Sequence, residues 1–119
     1  MKRSQLVLSV ALLLCFSTVR SSAQGLYFYL VNNSGQAFDK IYVSPSEQDR
    51  WGYNLIPNTY LYDGYKTRID ISESYGRTCY FDLKVVTAQG QWYKFSALDL
   101  CELYSITVNW NWTYNLVWE

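Results

Sequence analysis

The chain has 119 residues, of which 50% are apolar, 18% aromatic and only 17% charged. That composition excludes an intrinsically disordered chain, which needs low hydrophobicity and a high net charge, and the length excludes a multidomain enzyme. There is no histidine, the residue most often used for acid–base work near neutral pH, so zinc-dependent and triad hydrolases are disfavoured.

Residues 1–23 read as a secretory signal. Lys2 and Arg3 form a positive start, Leu6 to Phe16 is an apolar run broken only by Ser9, and Ser21-Ser22-Ala23 supplies small residues before a cut after Ala23. The run is too short to cross a bilayer, which needs about 20 apolar residues, and Arg20 follows it closely. A buried N-terminal helix is the competing reading. Cys15 follows Leu14 rather than Gly, Ala or Ser, which rejects a lipoprotein anchor. Lys2, Arg3 and Arg20 leave with the signal, so Gln24–Glu119 carries seven Lys/Arg against ten Asp/Glu, a net charge of −3. The basic residues are scattered, so the domain lacks the electrostatic footprint for nucleic acid or anionic lipid.

The remaining segments are strand-like, rich in Tyr, Trp, Val, Ile and Thr. Leu26–Val31 is the first predicted strand, ending in the turn Asn32-Asn33-Ser34-Gly35. Phe38–Val43 is the second, stopped by Ser44-Pro45-Ser46. Residues 46–56 read as a loop or a single helical turn around Trp51-Gly52, and Tyr60-Leu61-Tyr62 as a short strand. Lys66–Ser72 alternates, with Thr67, Ile69 and Ile71 on one face. Arg77–Thr87 puts Cys79, Phe81, Leu83 and Val85 on one face. Ala88-Gln89-Gly90 is a hairpin loop leading to Gln91–Phe95. Leu103–Val108 follows, with Tyr104, Ile106 and Val108 together. The tail Asn109–Glu119 alternates Trp110, Trp112, Tyr114, Leu116 and Trp118 against Asn109, Asn111, Thr113, Asn115 and Val117 and reads as a last strand with an aromatic face. About seven short strands without a helical period predict an all-β single domain over residues 24–119: a small antiparallel β-sandwich, immunoglobulin-like or similar. Strands this short and this few do not make a membrane-spanning barrel.

Cys79 and Cys101 are the cysteines left after the signal, and an even count in an exported chain reads as one disulfide. Closing a loop of about 22 residues contributes roughly 3 kcal/mol in the chain-entropy model. The alternative is metal ligation, for which two thiols without histidine give at most half a zinc site.

Several segments form an ordered series: Ile41-Tyr42-Val43-Ser44-Pro45, Trp51-Gly52-Tyr53-Asn54-Leu55, Gly64, Cys79-Tyr80-Phe81-Asp82-Leu83 and Asp99-Leu100-Cys101. Over roughly residues 28–108 this resembles a family of small exported bacterial β-proteins of uncharacterised function, with a YVSP, WGxNL, CxxDL and closing LC pattern. The resemblance implies a compact β domain with a Cys79–Cys101 bond and implies no activity. The tail from Trp110 lies outside it.

Three constellations bear on function. A carboxylate pair, Asp82 with Asp70 or Asp99, would be needed for a hydrolase; the competing reading makes Asp82 a cross-strand partner of Lys66 or Arg68. Glu47 and Asp49, with Ser46, Gln48 and Asn54, offer oxygen ligands for calcium, but without the EF-hand pattern, so an ordinary solvated loop is the alternative. The third is aromatic. Twelve Tyr and five Trp exceed what a core of this size holds, so some rings face solvent, where they suit sugar rings or protein partners. Trp51, Trp110, Trp112 and Trp118 are the candidate ligand-binding residues; alternatively Trp110 and Trp112 close the edge of the sandwich and Trp51 plugs a loop. Asn32-Asn33-Ser34 and Asn111-Trp112-Thr113 are formal glycosylation sequons, read as chance. The expectation is a secreted or periplasmic, non-catalytic binding module for a glycan or a protein, without cofactor, nucleic-acid partner or membrane span. The alternative is a self-associating envelope protein that pairs through an edge strand.

Overall fold

The computed structural model describes residues 25–119; the expected signal and its cleavage point lie outside the described residues. Seven strands are present among them: β1 (Tyr27–Asn33), β2 (Phe38–Pro45), β3 (Lys66–Asp70), β4 (Tyr80–Thr87), β5 (Trp92–Asp99), β6 (Leu103–Asn109) and β7 (Tyr114–Trp118), with one 3-10 turn at Glu73–Tyr75. They form a four-stranded sheet in the order β3-β1-β6-β7 and a three-stranded sheet in the order β2-β4-β5. The two pack face to face as a sandwich. Every pairing is antiparallel except β1 with β6, which is parallel, with Tyr29 opposite Ser105 and Asn33 opposite Asn109. A parallel pair needs a long crossover, and here the three-stranded sheet is part of that crossover. Among the described residues no helix is long and apolar enough to cross a membrane.

The alternation read from the sequence for β3 and β4 is the one observed, and β1 and β2 alternate in the same way. Phe28 and Leu30 of β1, Ile41 and Val43 of β2, Ile69 of β3, and Phe81, Leu83 and Val85 of β4 are all buried between the sheets. Each fully buried large apolar side chain contributes about 1.5–3 kcal/mol. The aromatic residues divide by chemistry. All four Phe of the described residues, Phe28, Phe38, Phe81 and Phe95, are in the core, whereas no Tyr or Trp is. Phe has no polar atom to satisfy; the Tyr hydroxyl and Trp indole N–H keep their rings at the boundary.

Irregularities account for most departures from the sequence reading. Tyr60-Leu61-Tyr62 forms no strand, only a single bridge between Leu61 and Phe38. β3 stops at Asp70 and β4 begins at Tyr80, so Ile71 and Cys79 flank strands rather than belong to them. β5 runs on to Asp99 because a bulge lets it continue: Ser96 and Ala97 together oppose Asp82, and Ala97 has φ 58°. In β6 the register shifts between Leu103 and Ser105. Tyr104 is therefore exposed and Ser105 buried, which removes Tyr104 from the face expected to hold Ile106 and Val108.

The tail is not one strand. Asn109 to Thr113 turns the chain, with Trp112 N–H donating to Asn109 O at 2.9 Å and Asn109 N–H to Thr113 O at 2.8 Å. Trp112 has φ 65°, a left-handed position that usually takes Gly. It is held there by packing. Its ring stacks on Tyr93 with centroids 3.6 Å apart and lies 6.2 Å from Phe38. Tyr114 meets Phe95 edge-on at 5.2 Å. These pairs join β5 to the β6–β7 hairpin and close one side of the sandwich.

At one end of the sandwich Cys79, just before β4, is bonded to Cys101, between β5 and β6, with Cα atoms 5.2 Å apart. Both thiols are consumed, so the metal-ligand reading of this pair is overturned. Asn32 is fully buried. Its side-chain N–H groups donate to Gln36 O (2.7 Å) and Leu61 O (2.9 Å), and its Oδ1 accepts from Ser34 N–H and Oγ–H. It stitches the end of β1 to two loops and is closed to glycosylation.

Replacing Trp112 by Ala keeps the unfavourable φ and loses the stacking. The variant is expected to lose about 2–3 kcal/mol of stability, below the 3–5 kcal/mol of a fully buried Trp, read as a lower urea midpoint with an unchanged slope.

Candidate functional site

The outward residues of the three-stranded sheet form a grid. One row across the strands is Tyr42, Lys84 and Lys94; the next is Lys40, Val86 and Trp92. With strands about 4.8 Å apart and alternate residues about 7 Å apart, the two rows cover a tile of roughly 10 by 7 Å. Trp51 reaches this tile from the loop after β2. The Lys84 ammonium lies 4.7 Å from the Trp51 ring, 5.3 Å from Tyr42 and 5.7 Å from Trp92. Each is a cation–π contact, and together they fix the three rings around one charge. Trp92 is 62% exposed, so the cluster has an open side.

Trp51 is positioned from both sides. Upstream, Arg50 N–H donates to Ser44 Oγ at 2.8 Å. Downstream, Asn54 Oδ1 accepts from Ile41 N–H (3.0 Å) and Ile56 N–H (3.1 Å), while Leu55 N–H donates to Ile41 O at 2.8 Å. The loop thereby covers part of the otherwise unpaired edge of β2, the edge at which sheets are prone to add strands. Gly52 has φ 60°, and a Cβ there would collide with Tyr75 Oη. That hydroxyl donates to Val43 O at 3.1 Å, so the glycine is needed for close approach as well as for its backbone.

The base of the loop rests on Asp82, which is 4% exposed. Asp82 points outward by parity but is roofed by the loop and by the β5 bulge. Its Oδ1 accepts from Ala97 N–H (2.9 Å) and Ser46 Oγ–H (3.0 Å), and its Oδ2 from Glu47 N–H (3.2 Å). Burial alone would raise its pKa. The donations from Ala97, Glu47 and Ser46, with the charge of Lys94, outweigh that and hold it below the ordinary carboxylate value. Lys66 and Arg68, expected as its partners, are in the other sheet, where Arg68 pairs with Asp70 at 3.0 Å. Asp70 and Asp99 do not join Asp82 either: Asp99 accepts from Cys101 N–H at 3.1 Å.

Of the four tryptophans singled out, only Trp51 stands in this cluster. Trp110 is at the tip of the β6–β7 hairpin and 75% exposed, Trp112 is packed as described, and Trp118 is at the far end of β7, half exposed. Trp92, Tyr42, Lys84 and Lys94 were missed. The alternation of Gln91–Phe95 does put Trp92 and Lys94 on one face, but the register that sets them beside Lys84 and Tyr42 is not written in either segment. Glu47 and Asp49 are exposed, with φ of 65° and 50°. Among the described residues the one group of three or more His, Cys, Asp or Glu side chains close enough to share an ion is Cys79, Asp99 and Cys101, whose sulfurs form the disulfide; Glu47 and Asp49 are not part of it.

A second aromatic set occupies the outside of the four-stranded sheet. Tyr27 meets Tyr29 at 6.1 Å and Tyr29 meets Tyr104 at 5.3 Å, with Arg68 3.8 Å over Tyr27 and Lys66 5.8 Å over Tyr29. It contains no Trp. Beside Trp51 the surface falls into a groove of about 450 Å³ lined by Arg50, Tyr53, Leu55 and Tyr75, with Tyr53 almost fully exposed. The groove beside the disulfide, lined by Leu26, Ile71, Arg77 and Thr78 among others, carries no aromatic ring.

No protein-family model, curated protein or solved structure matches the chain.

Asp82→Asn substitutes an N–H donor where the site supplies only donors, at a cost of about 1.5–3 kcal/mol near neutral pH. Because the folded-state pKa is depressed, the wild-type carboxylate contributes stability above its unfolded pKa of about 3.9 that is lost as the pH falls through the folded value. Urea midpoints measured from neutral to strongly acidic pH are expected to converge for wild type and variant at the acidic end.

Proposed function

We propose that the protein is an exported, non-catalytic binding module that takes a glycan on the outer face of the three-stranded sheet, with Trp51, Trp92 and Tyr42 as its platform. The observation that carries this reading is the convergence of those three rings around Lys84 on a surface with an open side. Sugar rings present weakly positive C–H faces, which stack favourably on the negative face of an aromatic ring. The loop that carries Trp51 is fixed by hydrogen bonds before any ligand arrives, which lowers the ordering cost of binding at that ring.

Export to the periplasm or beyond is supported by the signal-like residues 1–23 and by the Cys79–Cys101 bond, since disulfides persist in oxidising compartments. The proposal includes kinship with the small exported bacterial proteins whose motif the chain resembles. The non-catalytic reading rests on Asp82, whose three hydrogen bonds hold it ionised in an architectural role. Self-association is the second reading. β7 pairs only with β6, leaving one edge open beside the half-exposed Val117 and Trp118.

Co-sedimentation of the purified protein with a panel of insoluble polysaccharides, peptidoglycan included, tests the proposal. Retention on at least one polymer is expected. Trp92→Ala is expected to abolish it with an unchanged thermal midpoint, and Trp110→Ala to preserve it. Retention that vanishes on chelation of calcium would shift the site to Glu47 and Asp49. No retention, with a sedimentation coefficient that rises with protein concentration, would replace the proposal by edge pairing through β7.

A further inference from the structure

Lys84 and Lys94 are direct cross-strand neighbours on the exposed side of β4 and β5. Like charges placed opposite one another destabilise a sheet, and the pairing stands out in a region that is acidic as a whole, with seven Lys/Arg against ten Asp/Glu over residues 25–119. Neither lysine has a carboxylate within ion-pair distance among the described residues, where the two ion pairs are Lys40 with Asp39 and Arg68 with Asp70. Asp82 is the carboxylate whose field meets Lys94, but it is buried and already accepts three hydrogen bonds. Glu47 and Asp49, on the loop at the end of the face, pair with neither lysine. The rings around Lys84 attract its charge without accepting N–H hydrogen bonds in the manner of an oxyanion. The tile therefore holds two lysines set directly opposite one another, neither of them in an ion pair among the described residues, with Trp51, Trp92 and Tyr42 around the Lys84 ammonium.

We infer that the ligand of this face is an acidic polysaccharide built from uronic acid residues, with one sugar ring on the Trp92–Trp51 side and its carboxylate between Lys84 and Lys94. The inference rests on the glycan reading above and adds the charge. A carboxylate accepting from both ammonium groups would relieve their repulsion and gain charge-assisted hydrogen bonds. Two lysines suit one carboxylate per ring, whereas the acidic remainder of the domain repels densely charged polyanions.

The test uses alginate, polygalacturonate and hyaluronan, each beside its carboxyl-reduced form, which keeps the rings and removes the charge. Polyglutamate supplies the charge without the rings. Binding of the full purified protein is followed by affinity electrophoresis and calorimetry. At least one polyuronate is expected to bind, with its reduced form weaker by about tenfold or more, as for the loss of a charge-assisted contact, and polyglutamate inert. Added NaCl is expected to weaken the polyuronate complex, as screening requires. Lys94→Gln should weaken polyuronate binding about tenfold, leave the reduced polymer unaffected and reduce the salt dependence, with Lys84 carrying the remainder. Trp92→Ala should weaken both polymers, and each variant's thermal midpoint establishes that it is folded. Equal binding of the charged and reduced forms would overturn the inference while leaving the glycan reading intact. Polyglutamate binding as tightly as a polyuronate would overturn it in favour of a general polyanion surface. Binding of none of these polymers, with retention of the protein on a neutral polysaccharide, would overturn the charge assignment; absence of all glycan binding would overturn both.

Discussion

The buried carboxylate of Asp82 is the point on which the candidate face depends. It sits outward on a strand whose outward side would otherwise be wet, and it is dry only because two pieces of chain close over it. One is the β5 bulge, which delivers Ala97 N–H; the other is the start of the loop after β2, which delivers Ser46 Oγ–H and Glu47 N–H. A charged group removed from water at such a place is tolerable only when its lone pairs are met. The same three donors that meet them fix where β5 kinks and where the loop leaves the sheet. The bulge lets β5 continue to Asp99, and the loop goes on to place Trp51 over Lys84.

The residues of the motif series are mostly architecture in this light. Ser44 receives Arg50 N–H, Asn54 substitutes for a missing strand partner at Ile41, Gly52 makes room for Tyr75, and Asp82 anchors the loop. Trp51 and Tyr42 are the members that present a surface, both beside Lys84. The binding chemistry proposed for the face comes largely from outside the motif, from Lys84, Trp92 and Lys94. A chain can therefore keep the loop geometry while exchanging these three outward residues, because none of them supports the core.

Much of the fold was legible because buried strands of a sandwich must alternate. β1, β2, β3 and the middle of β4 follow the pattern of their apolar residues, and the even cysteine count gave the bond. What was not legible has a common cause: the information lies between segments. The parity of β6 slips at Tyr104 because its partner β7 is one residue short there. The aromatic alternation of the tail continues through a turn, since Trp112 takes a left-handed conformation that side-chain periodicity does not reveal. Its packing against Tyr93 supplies the compensation. The face formed by Tyr42, Lys84 and Lys94 exists only through register across three strands, so Trp51 could be recognised as a candidate and its neighbours could not.

The parallel pairing of β1 with β6 joins residues as far apart as Asn33 and Asn109, 76 positions in sequence. Until nearly the whole domain has emerged, β1 has only β3 to pair with, and its other side waits for a strand close to the C-terminus. Contacts this distant make a chain slow to fold and leave strand edges open during synthesis. The arrangement therefore defers completion of the four-stranded sheet until β6 and β7 are available, so the sandwich closes late and as a unit.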